Sequence, residues 1–369
     1  MINRRQFTAL LGASMLTSTR AWATNTPYVL GTLFPMTGSL AELGVVYTNA
    51  VALAMAHIAA DKKLQKPIEL SAEDSQTTPQ GGAIGMSKLV NVGKAQCVLL
   101  GVTGVSKAAE PIGTRAKVLM INGGGVGPDL ATLSPYFWNV IPLAHQEIST
   151  AVKWAKSKNL KRVALVYLDD PLGAAMLKTL EQQLPNIGAS LVGAFSAPAT
   201  LQQFSAIAAK VREANPDLIY VASFGTQQIQ IFKQLRDAGL TQPLITYSAG
   251  GTPSVAKAPE ADGLLFTSQV ADWSASDPAT KRFVTDWRAK YNGDPSTYAQ
   301  NYYNAAMLFA LLLAQIEKAK GNVDGDALRS ALVKSEFDLV GGKVRFSDGV
   351  ITMPTQLNRV KDGKFEKIG

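Results

Sequence analysis

Few residues in this chain are equipped for covalent chemistry. It has 369 residues, two histidines (His57 and His145) and one cysteine, Cys97. His57 falls inside a long helical pattern, where a helix-face or surface histidine is the ordinary reading. His145, close to Pro142, is a candidate to face a crevice, but no nucleophile stands at a spacing it could activate. Cys97 lies in the apolar run Cys97–Leu100 and reads as a small buried hydrophobe. It has no partner for an internal disulfide, and this histidine and cysteine count leaves little material for a zinc site. Two acid pairs follow apolar runs, Glu73-Asp74 and Asp169-Asp170. Such pairs serve a metal ion or an ammonium group, or else end loops and cap helices.

Neutral donors are more plentiful. Three turns rich in Gly, Ser, Thr or Asn occur at 35–39, 101–106 and 122–128. None carries GxGxxG after a strand, and no GxxxxGK[ST] occurs, so a nucleotide phosphate is not what they hold. No GxSxG elbow is present either. Amides and hydroxyls at helix starts suit an anionic or polar head group, while Leu43, Leu172 and Phe224 offer apolar contact to a ligand's body. A site with many donors and few titratable groups binds without reacting. No cofactor and no metal are expected.

The elements that position these turns repeat as strand, turn and helix. Tyr28–Phe34 is an apolar strand, followed by the turn 35–39 and a helix from about Leu40 to Ala60. Ile68–Ala72, Cys97–Leu100 and Val118–Ile121 continue the strands, with helices at 79–92 and 107–117. The rhythm restarts at His145, with strands at 162–167, 189–195, 217–222 and 244–247 and helices at 145–157, 172–184, 201–214 and 226–238. Strands that are apolar throughout, alternating with helices, indicate parallel sheets covered on both faces. Ligands of such sheets sit at the carboxyl ends of the strands. After a last strand at 264–267 come helices at 278–289, 297–318 and 324–333. The tail alternates apolar and polar residues around the turn Ser347-Asp348-Gly349 and reads as antiparallel.

The N-terminus reads as an export signal over 1–23. Arg4-Arg5-Gln6-Phe7 is a twin-arginine start, an apolar stretch runs to Leu16, and Ala21-Trp22-Ala23 is a cleavage pattern. The only cysteine is far from that site, so no lipid anchor is expected. Net charge is +8, of which Arg4, Arg5 and Arg20 leave with the signal. The remaining cations are scattered without aromatic interleaving, which argues against nucleic acid.

Taken in order, Phe34-Pro35-Met36-Thr37-Gly38, Glu73-Asp74 with Pro79, the turn after Leu99-Leu100-Gly101, Val163–Asp169 with Leu172-Gly173, Pro216-Asp217 and Ala238-Gly239 resemble one family. This is the leucine/isoleucine/valine-binding family of ABC-transporter substrate-binding proteins. The resemblance spans nearly the whole exported chain. It implies an α/β architecture, the type I periplasmic-binding fold, with two doubly wound lobes joined by three crossovers. The first lobe is expected at 27–142 and 272–341, the second at 143–271 and 342–369. The implied protein is a periplasmic, monomeric receptor that closes on a small solute and docks on a membrane permease.

The family's ligand positions fall, by this resemblance, on or near Leu43, Thr103, Gly104, Val105, Ser106, Asn122, Gly124, Gly125, Val126, Leu172, Phe224 and Ala249, and His145 is added to them as the candidate from its own position beside Pro142. Valines stand where the family places a Ser and a Thr for the ligand carboxylate (Val105, Val126). Alanines stand where it places acids for the ammonium (Ala144, Ala249), and leucines at two aromatic positions (Leu43, Leu172). An ammonium buried without a carboxylate costs on the order of 2–5 kcal/mol. A small aromatic or aliphatic carboxylate without an amine is therefore the expected solute. A small amide or urea-like solute, a branched-chain amino acid if Asp169, Asp170 or Glu42 supplies the charge, and an exported sensor role are the alternatives.

Overall fold

The computed structural model describes residues 26–368. The export signal expected at 1–23 lies outside the described residues. The first lobe opens with β1 (Tyr28–Phe34), α1 (Ala41–Asp61), β2 (Ile68–Asp74), α2 (Pro79–Asn91), β3 (Cys97–Leu100), α3 (Thr103–Arg115), β4 (Leu119–Asn122) and β5 (Phe137–Asn139). The second contains α4 (Ala144–Ser157), β6 (Arg162–Leu168), α5 (Pro171–Gln183), β7 (Ser190–Ala197), α6 (Ser205–Glu213), β8 (Leu218–Ala222), α7 (Gly225–Asp237), β9 (Leu244–Thr246), α8 (Pro253–Lys257) and β10 (Leu265–Gln269). The chain then returns through α9 (Pro278–Tyr291), α10 (Thr297–Lys318) and α11 (Gly325–Lys334). It ends in β11 (Phe337–Leu339), β12 (Gly342–Val344), β13 (Phe346–Ser347), β14 (Val350–Ile351), β15 (Thr355–Lys361) and β16 (Lys364–Lys367).

Each lobe is one sheet between helices, and the two sheets share a strand order. The first runs β2-β1-β3-β4-β5, the second β7-β6-β8-β9-β10, all parallel. The reason is legible in burial: β3, β4 and β8 are buried at every position, as strands covered on both faces must be. Strand order reverses beside β1 in one lobe and beside β6 in the other, so the ends of β1 and β3 face the ends of β6 and β8. Helices start on capping residues. Thr78, Asp170, Asp277, Ser296 and Asp324 each accept the amide proton three residues on.

The tail departs from expectation. The resemblance places residues 342–351 in the second lobe, but β13 and β14 form a hairpin on the edge of the first sheet, where Val350 pairs with Asn139. Phe346 packs edge-on against Trp138 at 5.7 Å, which fixes that edge. Alternation in the tail signals a hairpin but not which sheet it extends. Only β15 and β16 join the second sheet, antiparallel to β10 and to each other.

Two helix starts also moved. α3 begins at Thr103, four residues before the expected 107, because Val102 alone makes the turn, at φ 65°. α6 begins at Ser205 and not 201. The carbonyls of Pro198, Leu201 and Gln202 are taken by the side-chain amides of Gln227 and Gln234 on α7, so no helix forms there. His57, expected on a helix face or the surface, is buried under α10. Its ring nitrogens meet Tyr303 Oη at 2.8 Å and Asp286 at 2.9 Å.

Candidate ligand-binding crevice

Between the lobes lies a crevice with a cavity of about 30 Å³, inside about 410 Å³ of non-atom space that includes its mouth. A cavity of that size has room for about two waters. The first lobe lines it with Leu40, Leu43 and Tyr47 after β1, Val102, Thr103 and Gly104 after β3, and Gly124 and Gly125 after β4. The second contributes Asp170 and Leu172 after β6, Phe224 after β8, and Tyr247 and Ala249 after β9. Tyr298 reaches in from the first turn of α10.

The lobes touch across this crevice. Tyr298 Oη donates to Ser248 Oγ at 3.3 Å, and the Ser254 amide donates to Glu42 at 3.0 Å. A Cβ added at Gly225, whose φ is +62°, would lie 2.4 Å from the Ser39 carbonyl oxygen. These contacts close the mouth, and the small cavity follows from them.

α10 holds the first-lobe side in place. Tyr302 Oη donates to the Leu100 carbonyl at 2.9 Å, and Asn301 Nδ2 donates to the Gly123 carbonyl at 3.0 Å. Both glycine-rich turns are thereby tied to one helix. Gly124 is glycine for space, since a Cβ would meet Tyr47 Oη at 2.7 Å and Tyr302 Oη at 2.9 Å. The turn before α1 is held from the other side by Asp74. Its carboxylate accepts from the Met36, Thr37 and Gln76 amides and from Thr37 Oγ1. Burial pushes its pKa up, the four hydrogen bonds more than offset this, and the net direction is down. Asp74 is thus a turn anchor, and Glu73 pairs with Lys88 at 3.2 Å. Among the described residues, no cluster of three His, Cys, Asp or Glu could hold a metal.

The expected site residues divide. Leu43, Thr103, Gly104, Gly124, Gly125, Leu172, Phe224 and Ala249 all line the crevice. Val105, Ser106, Asn122, Val126 and His145 do not. With α3 starting at Thr103, Val105 turns into the first-lobe core beside Gly82, and Ser106 is buried with no partner for its hydroxyl. Val126 is core, and its carbonyl accepts from the Ala144 amide at 2.7 Å. Asn122 shapes the turn: its Oδ1 accepts from the Gly124 and Gly125 amides and its Nδ2 donates to the Gly125 carbonyl. Those two glycine amides are therefore already used. His145 is half-buried at the start of α4, its carbonyl taken by Gln183, and burial lowers its pKa.

Donors left for a ligand cluster at the α3 N-terminus. The first amides of a helix have no intrahelical acceptor, and this end opens on the crevice. The Thr103 hydroxyl accepts from the Gly127 amide at 3.1 Å and keeps its own proton to donate. Val102 holds a backbone conformation that a β-branched residue adopts at a cost, as residues at ligand clamps often do.

Sequence reasoning passed over the tyrosines. Tyr47, Tyr247 and Tyr298 form the aromatic wall, with Tyr302 behind Tyr47. The usable signal was their spacing: Leu43 and Tyr47, and Tyr298 and Tyr302, are four apart on helices and share a face. The acid lining the crevice is Asp170. Its carboxylate caps α5, accepting from the Gly173 amide at 2.7 Å, and burial pushes its pKa up against those helix amides.

This arrangement of two doubly wound lobes around a donor-lined cleft defines a solute-binding receptor. Residues 27–364 match the periplasmic binding protein family, and the chain belongs to it. Membership makes it a non-catalytic receptor. It is 25% identical over 319 residues to a Leu/Ile/Val-binding protein homolog of Brucella melitensis, covering 82% of each chain. Among solved structures it resembles an ABC-transporter solute-binding protein of R. palustris in complex with benzoate, with TM-score 0.84, 19% identity and 93% and 96% of the two chains covered. It also resembles the branched-chain amino-acid transporter substrate-binding protein of Streptococcus pneumoniae in complex with isoleucine, with TM-score 0.82, 23% identity and 93% and 99% covered.

Proposed function

We propose that this protein is the receptor of an ABC uptake system and carries a small organic carboxylate without an amine to its membrane permease. The observation that carries the reading is the crevice itself. One wall is leucine and tyrosine, the donors are neutral helix amides, and the uncharged Ala249 lines the crevice from the second lobe. An anion is stabilised at a helix N-terminus, while Leu43, Leu172 and Phe224 offer apolar contact to a ring or aliphatic body, for which the small cavity must widen by parting of the lobes. Asp170, the one acid in the wall, already neutralises the start of α5. The benzoate held by the R. palustris structure is a ligand of this chemical type.

A second reading has its own support. Asp170 faces the crevice, and the S. pneumoniae structure holds isoleucine. If Asp170 turns one carboxylate oxygen to the ligand, a branched-chain amino acid fits. Isothermal titration of residues 24–369 with benzoate, leucine and a small amide decides between them. Binding of benzoate with no heat from leucine is expected. Tight leucine binding without benzoate binding overturns the amine-free reading and favours the second.

A further inference from the structure

The Ser248–Gly251 turn parts the crevice from a second cavity, of about 190 Å³, at the hinge: Ala249 lines the first and Gly251 the second. The start of α10 divides in the same way, with Tyr298 on the crevice and Thr297 on the hinge cavity. The hinge cavity draws on both lobes and on two of the crossovers between them. Phe266 and Phe365 come from β10 and β16 in the second lobe. Ala271 and Trp273 lie on the crossover after β10, and Gln356 stands where the last crossover enters β15. The Val270 amide donates to the Pro354 carbonyl at 2.9 Å, joining these crossovers, and Gln269 Nε2 donates to the Thr297 carbonyl at 3.2 Å.

The aromatic rings of the wall are anchored on opposite lobes. Phe365, exposed on β16, meets Phe266 edge-on at 5.1 Å. Trp273, half-buried, packs at 6.3 Å on Phe283 of α9, in the core of the first lobe. A cavity of about 150 Å³ takes benzene, so this one has room for a substituted six-membered ring, and an aromatic wall suits a flat apolar body. Charge argues for a neutral one. Among the described residues no Asp or Glu lines the cavity, so a cation would be unpaired, and Lys367 at its exposed rim has Asp272 close by. Gln356 is buried; its Nε2 donates to Asn358 Oδ1 at 2.8 Å and its Oε1 has no partner. The wall thus keeps an acceptor for a ligand's O–H or N–H.

We propose that the hinge cavity is a second binding site, for an uncharged aromatic molecule that carries a hydroxyl or N–H donor. A ring seated there touches Trp273, held on the first lobe, and Phe266 and Phe365, held on the second. It bridges the lobes and favours the closed arrangement in which these walls meet. An occupant of either cavity then raises the affinity of the other for its own ligand, by an equal factor. The site stands whichever ligand the crevice takes.

Amide NMR of residues 24–369 titrated with phenol tests it. Saturable shifts are expected at Ser268, Thr297 and Phe365, and they should persist with benzoate in excess. Benzylamine, a cation at neutral pH, should produce none there. Phe365→Ala removes one ring from an exposed strand and should weaken phenol binding by roughly twofold to tenfold, the range of one aromatic contact. Ala271→Leu fills the cavity from the crossover and should abolish phenol binding, so either variant serves if the other fails to fold. Phenol shifts confined to Thr103 and Gly104 of the crevice, or undiminished in the variants, overturn the proposal. Titration calorimetry reads the coupling: phenol at saturation should tighten benzoate binding several-fold, and an unchanged Kd overturns the bridging of the lobes. Failure of every carboxylate to bind would sink the proposed function and leave the phenol shifts at the hinge standing.

Discussion

The rings of Tyr47 and Tyr302 lie 4.0 Å apart, centroid to centroid, tilted by 32°. Tyr47 lines the crevice and Tyr302 sits behind it, its hydroxyl spent on the Leu100 carbonyl. The pair joins α1 and α10 at the point where the turn after β3 begins. Tyr302→Phe leaves the ring packing and removes that hydrogen bond. It should cost about 1–2 kcal/mol of stability in urea unfolding, because the buried carbonyl loses its donor. Ligand affinity should fall only a few-fold, since Tyr302 does not touch the cavity. A loss of binding with stability intact would place Tyr302 on the ligand instead.

Asp170→Asn separates the two ligand readings. Asparagine caps a helix start as well as aspartate does, so α5 stays in place. For an amine-free carboxylate, removing a nearby negative charge should leave affinity unchanged or raise it. For an amino acid it should cost about 2–5 kcal/mol, roughly 30-fold or more in Kd. Titration calorimetry with benzoate and with leucine on both proteins reads the difference directly.

Much of the fold was legible because β3 and β8, and β4 up to Asn122, are apolar runs that could only be covered strands. The crevice was half legible. Leu43, Leu172 and Phe224 follow strand ends, and strand ends face the cleft in this topology. Val105 and Ser106 misled because a Thr-Gly-Val-Ser run reads equally as a turn or as a helix start, and one residue's φ at Val102 decides which. Glu147 gave no signal at all. An acid in the first turn of a helix is what a solvated helix shows, and the partners that meet it in the interior, Ser248 and Thr267, lie more than a hundred positions on in the chain.

Stability should depend on pH through Glu147. Burial pushes its pKa from 4.5 to about 8, with Ser248 and Thr267 pulling weakly the other way. Between those values the folded protein holds a proton that the unfolded chain has released. The stabilisation is therefore complete below about pH 4.5 and is lost as pH rises through 8, at no more than about 1.4 kcal/mol per unit. Glu147→Gln should flatten this slope and be the more stable protein at pH 8. Urea melts at pH 5, 6.5 and 8 check it; parallel curves for the two proteins would remove Glu147 as the source.

Gly225 tests whether the closed lobes hold the ligand. Its φ is +62°, and an added Cβ would lie 2.4 Å from the Ser39 carbonyl oxygen in the opposite lobe. Alanine there carries two separate penalties. The backbone strain, about 1–2 kcal/mol, is present open or closed and lowers stability without affecting binding. The clash with Ser39 arises only on closure and lowers affinity. Gly239→Ala isolates the first penalty, since Gly239 has φ +77° and nothing within 4 Å of an added Cβ. Both variants should lose similar stability, but only Gly225→Ala should lose affinity, by about tenfold or more. Equal affinities in the two would mean that the ligand is held without the approach of Ser39 to Gly225.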